Sequence, residues 1–225
     1  MDGLFVKINF LIPKLPRAEK IFAQALLENP EALKDMTLAE AARTEIVIKE
    51  IQDSVSSVDE GAIDSLTEKI ELERRIFCDG AGRSRLQIEG FAMRLIQMGF
   101  RSAIVGGPTV PAITAADVLL ICSASGETPM LVAHAKKARS LGVRMLLITA
   151  SPSSTLAALC DEMIVLRAPS KENASDASIQ PMGSLFEQSV GILFDIIVLR
   201  LMERYQISNE KMYANHADLE WIQIL

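Results

Sequence analysis

From Arg74 onward the chain alternates between short, nearly unbroken apolar runs and stretches of helical length. This alternation constrains the fold more than any other feature. The runs Arg75 to Asp79, Ser102 to Val105, Val118 to Cys122, Arg144 to Thr149 and Met163 to Leu166 read as strands. Arg85 to Met98, Pro129 to Leu141 and Thr155 to Leu159 read as the helices between them. A strand that is apolar at consecutive rather than alternate residues buries both faces, which a parallel sheet with helices on each side allows. The expected fold is therefore α/β, a three-layer αβα sandwich around a five-stranded parallel sheet. GGPTVPAITAAD, between the second and third strands, reads as a loop with at most one helical turn.

N-terminal helices precede this unit. Arg17 to Glu28 is a short candidate ended by Asn29-Pro30, and a second begins at Thr37-Leu38-Ala39-Glu40, a capping-box pattern, and runs to Val55. A third starts at Val58-Asp59-Glu60 and runs to about Leu72. After the polar stretch Ser170 to Ser178, a long helix from Met182 to Tyr205 and a short one from Ser208 to about Ala217 close the chain. Residues 37–225 are read as a single domain. Residues 1–36 are an extension of open status, and Met36, just before a helix cap, is a candidate initiator. LFVKINFLIP lacks a basic leader and a cleavage site and is too short to span a bilayer, so neither a secretory signal nor a membrane anchor is expected.

Composition narrows the function. A net charge of −6 provides no basic field for nucleic acid or an anionic membrane. Aromatics at 5% leave Leu, Ile, Val, Ala and Met to form the core, which suits helices on a sheet better than an all-β sandwich. Cys78, Cys122 and Cys160 are odd in number and lack CxxC spacing, and the two histidines, His134 and His216, are far apart. Neither a disulfide framework nor a metal cluster is expected, and the chain reads as reduced and cytoplasmic.

In an open parallel sheet, ligands gather beyond the carboxyl ends of the strands. The first strand ends in Asp79-Gly80-Ala81-Gly82-Arg83-Ser84, the third in Ser123-Ala124-Ser125-Gly126-Glu127-Thr128, and the fourth in Thr149-Ala150-Ser151-Pro152-Ser153-Ser154. Gly80-Ala81-Gly82 is a weak nicotinamide signal, because Arg85 stands where the third glycine of GxGxxG belongs. A Walker A loop is excluded by the lack of Gly-Lys-Ser/Thr after a strand. The Ser123–Thr128 turn combines a permissive glycine, three hydroxyls and the amino end of a helix, a set able to hold a phosphate without lysine. It equally fits an ordinary turn with Thr128 as N-cap and Pro129 at N1.

At these residues the chain resembles the sugar isomerase (SIS) domain, whose phosphosugar-binding signature is Ser-x-Ser-Gly-x-Thr. More closely it resembles 6-phospho-3-hexuloisomerases, through Gly80-Ala81-Gly82-Arg83-Ser84, Phe91-Ala92-Met93-Arg94-Leu95, Pro111-Ala112-Ile113 and the block Ser178 to Gln188. Leu199-Arg200-Leu201-Met202-Glu203 and His216-Ala217-x-Leu219-Glu220 extend the likeness, which covers roughly Thr37 to Trp221.

The resemblance implies interconversion of 3-hexulose 6-phosphate and fructose 6-phosphate through an enediol, as in the ribulose monophosphate pathway of formaldehyde fixation. It implies Glu187 as base and His216 as a second catalytic group reaching a neighbouring subunit's site. Arg83 and Ser84 would line the sugar, and Ser123, Ala124, Ser125, Gly126, Glu127 and Thr128 would hold the phosphate. No cofactor or metal is implied. The partners are a small sugar phosphate and other copies of the chain, as a homotetramer with sites near subunit boundaries; neither nucleic acid nor membrane is expected. Against this, Ser184-x-x-Glu187 is also a capping box for the long helix. His134 reads as a solvated or half-buried helix residue, and Asp195, in an otherwise apolar helix, calls for a structural partner. Arg85, Ala124 and the stretch Val105-Gly106-Gly107-Pro108 depart from the family pattern. A non-catalytic phosphosugar sensor and an isomerase of another phosphosugar are the alternatives. The acidic helices before Leu72 do not resemble a DNA-binding domain, and the tandem regulatory domains of arabinose 5-phosphate isomerases have no counterpart before Leu225.

Overall fold

The computed structural model describes residues 11–14, 20, 23, 24, 27, 38–169 and 178–216, with Lys14, Leu38, Ala39 and Ala41 by backbone alone. The readings made for Thr37 as a cap, for the loop from 170 to 177 and for the chain beyond His216 lie outside these residues. So does most of the Arg17 to Glu28 helix, although residues 20, 23, 24 and 27 are helical.

The expected sheet is present. Strands β1 (Arg75–Gly80), β2 (Arg101–Ile104), β3 (Val118–Cys122), β4 (Arg144–Thr149) and β5 (Glu162–Val165) are all parallel, in the order β2-β1-β3-β4-β5. Successive side chains point to opposite faces. Ile76, Cys78, Val118, Leu120, Leu146 and Ile148 therefore pack on one side, and Phe77, Leu119, Ile121, Met145 and Leu147 on the other, all buried. This two-sided burial is why the strands read as continuous apolar runs.

Helices α2 (Glu60–Glu68), α3 (Gly82–Met98), α6 (Ser184–Tyr205) and α7 (Asn209–Ala214) cover the first face, and α1 (Leu38–Val55) packs against α6. Helices α4 (Pro129–Ser140) and α5 (Thr155–Leu159), with the loop that carries Val110 and Ile113, cover the second. Several boundaries differ from the sequence reading, three of them for a clear local reason. Helix α2 stops at Glu68, because Ile70 turns into the core and is fully buried. Helix α3 begins at Gly82, where a φ of +57° lets the chain turn directly out of β1. Helix α6 begins at Ser184, after a short 3-10 turn, Pro181–Gly183, in which Met182 and Gly183 take φ of 58° and 78°.

Chain order places β2 on one side of β1 and β3 on the other, so the β1 and β3 ends diverge and leave a crevice between them. At the opposite end of the sheet, Arg75 clamps the long loop. Its Nε and Nη2 donate to the two oxygens of Asp117 at 2.8 and 2.7 Å, while the backbone N–H and hydroxyl of Thr114 donate at 2.7 and 2.8 Å. Burial alone would raise the Asp117 carboxyl, but these donors together hold it below the ordinary aspartate range.

Candidate active site at the β1–β3 crevice

A cleft of about 380 Å³ opens at this crevice. It is lined by the turn after β1 (Ala81, Gly82, Ser84), the turn after β3 with the start of α4, and Gly183 and Glu187 at the head of α6. Of the residues expected from sequence, Ser84, Ser123, Ala124, Ser125, Glu127, Thr128 and Glu187 all face it.

The turn after β3 is tightly determined. The Ser123 hydroxyl accepts from the Gly126 N–H at 3.2 Å, and Ser125 accepts from the Glu127 N–H at 3.3 Å. Gly126 is buried behind the cleft wall, at a φ of +66°, and a Cβ there would lie 2.0 Å from the Ser154 hydroxyl. Both backbone conformation and space therefore demand glycine. The Ala124 carbonyl is occupied by Thr149 Oγ1 at 3.2 Å and the Ala150 N–H at 3.1 Å. Glu127 turns its carboxylate to the Thr155 N–H at 2.6 Å, and the Thr155 backbone, then its hydroxyl, pulls that carboxyl below its ordinary value. The Glu127 carboxylate thus caps α5, and its negative charge is met by a helix amino end.

Three helices start at this cleft, and they share a property. The N-cap positions of α3, α4 and α6 (Ala81, Thr128 and Gly183) make no side-chain capping bond. By contrast α2, α5 and α7, which start elsewhere, are capped by Asp59, Ser154 and Ser208. Thr128 occupies the N-cap position with Pro129 next, as expected, yet its hydroxyl does not cap. Free N–H groups and aligned dipoles at three converging helix ends favour an anion.

The capping-box reading of Glu187 fails. Helix α6 starts at Ser184 itself, whose hydroxyl donates to the Pro181 carbonyl at 2.7 Å and accepts from Arg83 Nη1 at 2.9 Å. Glu187, four positions past the N-cap, turns into the cleft with only 3% of its side chain exposed. Arg83 Nε lies 3.0 Å from its Oε2, but out of line for a hydrogen bond, so that oxygen is buried without one. Beneath it, Cys122 is fully buried; burial first, then the charges of Glu187 and Cys78, push its thiol up. It stays a neutral thiol in the floor of the cleft.

The remaining expectations fall elsewhere. Arg83 stands at the rim, half exposed, between Ser184 and Glu187. Arg85, a departure at the family's glycine, points along α3 to Glu89 at 2.7 Å and stays out of the cleft. His216 lines a different groove, between α3 and α6, beside Gln188 and Asp195. Asp195 is exposed there, so water solvates it and no buried partner is required. Among the described residues no three His, Cys, Asp or Glu side chains converge as metal ligands. One pair went unforeseen: His134 of α4 lies 2.8 Å from the buried carboxylate of Asp79 in β1. The available signal was an aspartate within an otherwise apolar strand.

Comparison with known proteins agrees with this geometry. The SIS domain family model matches residues 69–190. A 3-hexulose-6-phosphate isomerase of Bacillus subtilis is 38% identical over 77% of this chain and 95% of its own length. One from Mycobacterium gastri is 35% identical over 78% and 88%. The crystal structure of a hypothetical protein from Methanococcus jannaschii, for which a 3-hexulose-6-phosphate isomerase function was inferred, superposes with a TM-score of 0.69 at 29% identity, covering 78% of this chain and 98% of that one. With its sheet order, its cleft and these relatives in agreement, the chain belongs to the 6-phospho-3-hexuloisomerase family of SIS-domain proteins.

Proposed function

We propose that the chain is an isomerase interconverting 3-hexulose 6-phosphate and fructose 6-phosphate, with Glu187 as the base. The observation that carries this reading is a buried carboxylate with a hydrogen-bond-free oxygen, facing a cleft where three uncapped helix ends converge. The phosphate is assigned to the Ser123–Thr128 turn, with the hydroxyls of Ser125 and Thr128 and the first amides of α4 as donors. Ser84 and Arg83 are assigned to the sugar. Starting from fructose 6-phosphate, Glu187 takes the C3 proton, the electrons form the C2–C3 double bond, and the C2 oxygen gains a proton to give the 2,3-enediol. Return of the proton to C2, with loss of the C3 hydroxyl proton, leaves the carbonyl at C3. Hydrogen moves as a proton within one molecule, so the chemistry calls for no redox cofactor.

His216 and the oligomer belong to the same reading. Leu86, Met93 and Ile96 of α3 and Ile192 and Leu199 of α6 are large apolar side chains left exposed on a single chain. A second copy covering this face brings His216, in the α3–α6 groove, toward a neighbouring cleft, where it protonates or deprotonates substrate oxygens. A homotetramer satisfies this with sites at subunit boundaries. No helix among the described residues is long and apolar enough to cross a membrane, and three free thiols suit a reducing cytoplasm, where we place the protein.

The test is solvent-proton exchange into fructose 6-phosphate in D₂O, followed by NMR with the wild type and Glu187→Gln. Deuterium at C3 with the wild type alone is expected. Binding without exchange in the wild type would turn the reading to a phosphosugar sensor, and exchange at C1 alone would indicate an aldose–ketose isomerase.

A further inference from the structure

Asp79 is the next-to-last residue of β1, just ahead of the turn that leads to Ser84, and is 1% exposed. Its Oδ2 lies 2.8 Å from His134 Nδ1, while its Oδ1 is buried with no hydrogen-bond partner. Burial pushes this carboxyl up, and His134 first, then the neighbouring Gly80 N–H and the charge of Arg85, oppose the shift. Stability alone does not account for such a pair, because apolar side chains in the same space serve a core as well or better. Location offers a better account. Ala81, Gly82 and Ser84, which follow Asp79, form one wall of the cleft; Thr128, Pro129 and Leu131, which precede His134, form the facing wall. Helix α4 packs chiefly on β4 and α5, so little else ties its amino end to β1. Besides His134, the charge of Arg85 of α3 also acts on Asp79, and Arg85 is itself held by Glu89 at 2.7 Å.

We propose that Asp79 and His134 form a positioning pair for this cleft: their bond sets the distance between the Gly80–Ser84 turn and the amino end of α4, and with it the grip on the phosphate end of the substrate. The inference rests on the sugar-phosphate reading of the site. Because neither residue lines the cleft, the pair acts on binding and leaves the proton transfer at Glu187 untouched.

The experiment measures kcat and KM for fructose 6-phosphate in the wild type, His134→Ala and His134→Asn, with a thermal melt of each. His134→Ala should raise KM roughly tenfold with kcat within about twofold, since small misplacements of a binding wall are costly. His134→Asn, whose amide can donate from the place of Nδ1, should return KM to within about threefold of wild type. Should His134→Ala not fold, His134→Gln replaces it: its amide sits one methylene too far, and the same rise in KM is expected. A lowered melting temperature with KM unmoved overturns the inference in favour of plain structural support. A fall in kcat at unchanged KM overturns it in favour of a role in the chemistry. A wild type that neither turns over nor binds fructose 6-phosphate overturns the functional reading, and this inference with it.

Discussion

Glu187 illustrates how much a single residue's role depends on its exact helical position. In sequence, Ser184-Leu185-Phe186-Glu187 fits a helix cap; in three dimensions Met182 and Gly183, both at positive φ, swing the chain so that the helix starts at Ser184 and the carboxylate enters the cleft. Glu187→Gln preserves shape and burial, so its dissociation constant for fructose 6-phosphate should stay within about threefold while kcat falls roughly a thousandfold. Single-turnover kinetics beside equilibrium binding would separate the two; an equal loss of both would remove Glu187 from the role of base. Gly126 presents the opposite case, a residue that matters for the side chain it lacks. Gly126→Ala sets a Cβ 2.0 Å from the Ser154 hydroxyl at a φ of +66°, so α5 or the Ser123–Thr128 turn must shift. A loss of stability of about 2 kcal/mol or more is expected in a urea melt, together with a raised KM.

At the scale of elements, the division of capped from uncapped helices assigns tasks. Helix α5 is only five residues long and relies on Ser154, which accepts from the Ala157 N–H at 3.3 Å, and on Glu127, bonded to Thr155. Ser154→Ala should cost about 1 kcal/mol in thermal stability, the usual worth of such a cap. The Arg75–Asp117–Thr114 clamp at the far end of the sheet has a distinct pH signature. The Asp117 carboxyl is held lower in the folded chain than in the unfolded one. Its contribution is therefore present above the ordinary aspartate pKa and is lost as pH falls through the folded value. Asp117→Asn should lower the melting temperature at neutral pH, and the gap from wild type should narrow as pH drops below about 4. A gap that stays constant with pH would mean that the carboxylate charge is immaterial to the clamp.

For the whole molecule, the exposed apolar side chains of α3 and α6 and the placement of His216 away from Glu187 support the proposal that a complete site needs two chains. Leu199→Glu, which sets a charge on that face, should reduce the particle from four chains' mass to a smaller species in light scattering and lower activity with it. A stricter check mixes two inactive variants. Glu187→Gln and His216→Ala subunits, co-refolded in equal amounts, should recover about a quarter of wild-type activity if each site draws on both chains, because half of the random pairs then contain one intact site of two. No recovery would mean that Glu187 and His216 do not share a site across subunits.

How much was legible in the sequence follows from what each feature depends on. The five-stranded parallel sheet was visible because burial on two faces writes itself as continuous apolar residues, a local pattern. The Ser123–Thr128 turn was visible for a related reason: hydroxyls, a glycine and a helix start lie within six consecutive residues. Helix ends were less legible, since Gly82 and Ser184 begin helices through positive-φ turns that tertiary contacts support. The use of Glu127 as a cap for α5 and the Asp79–His134 pair were invisible, and the direction of Glu187 stayed open between cap and cleft, because each joins residues brought together only by strand order and helix packing. Local patterning thus determined the layers and the place where a ligand could sit; the tertiary structure decided which side chains face it, since orientation is a property of the packed elements rather than of the chain alone.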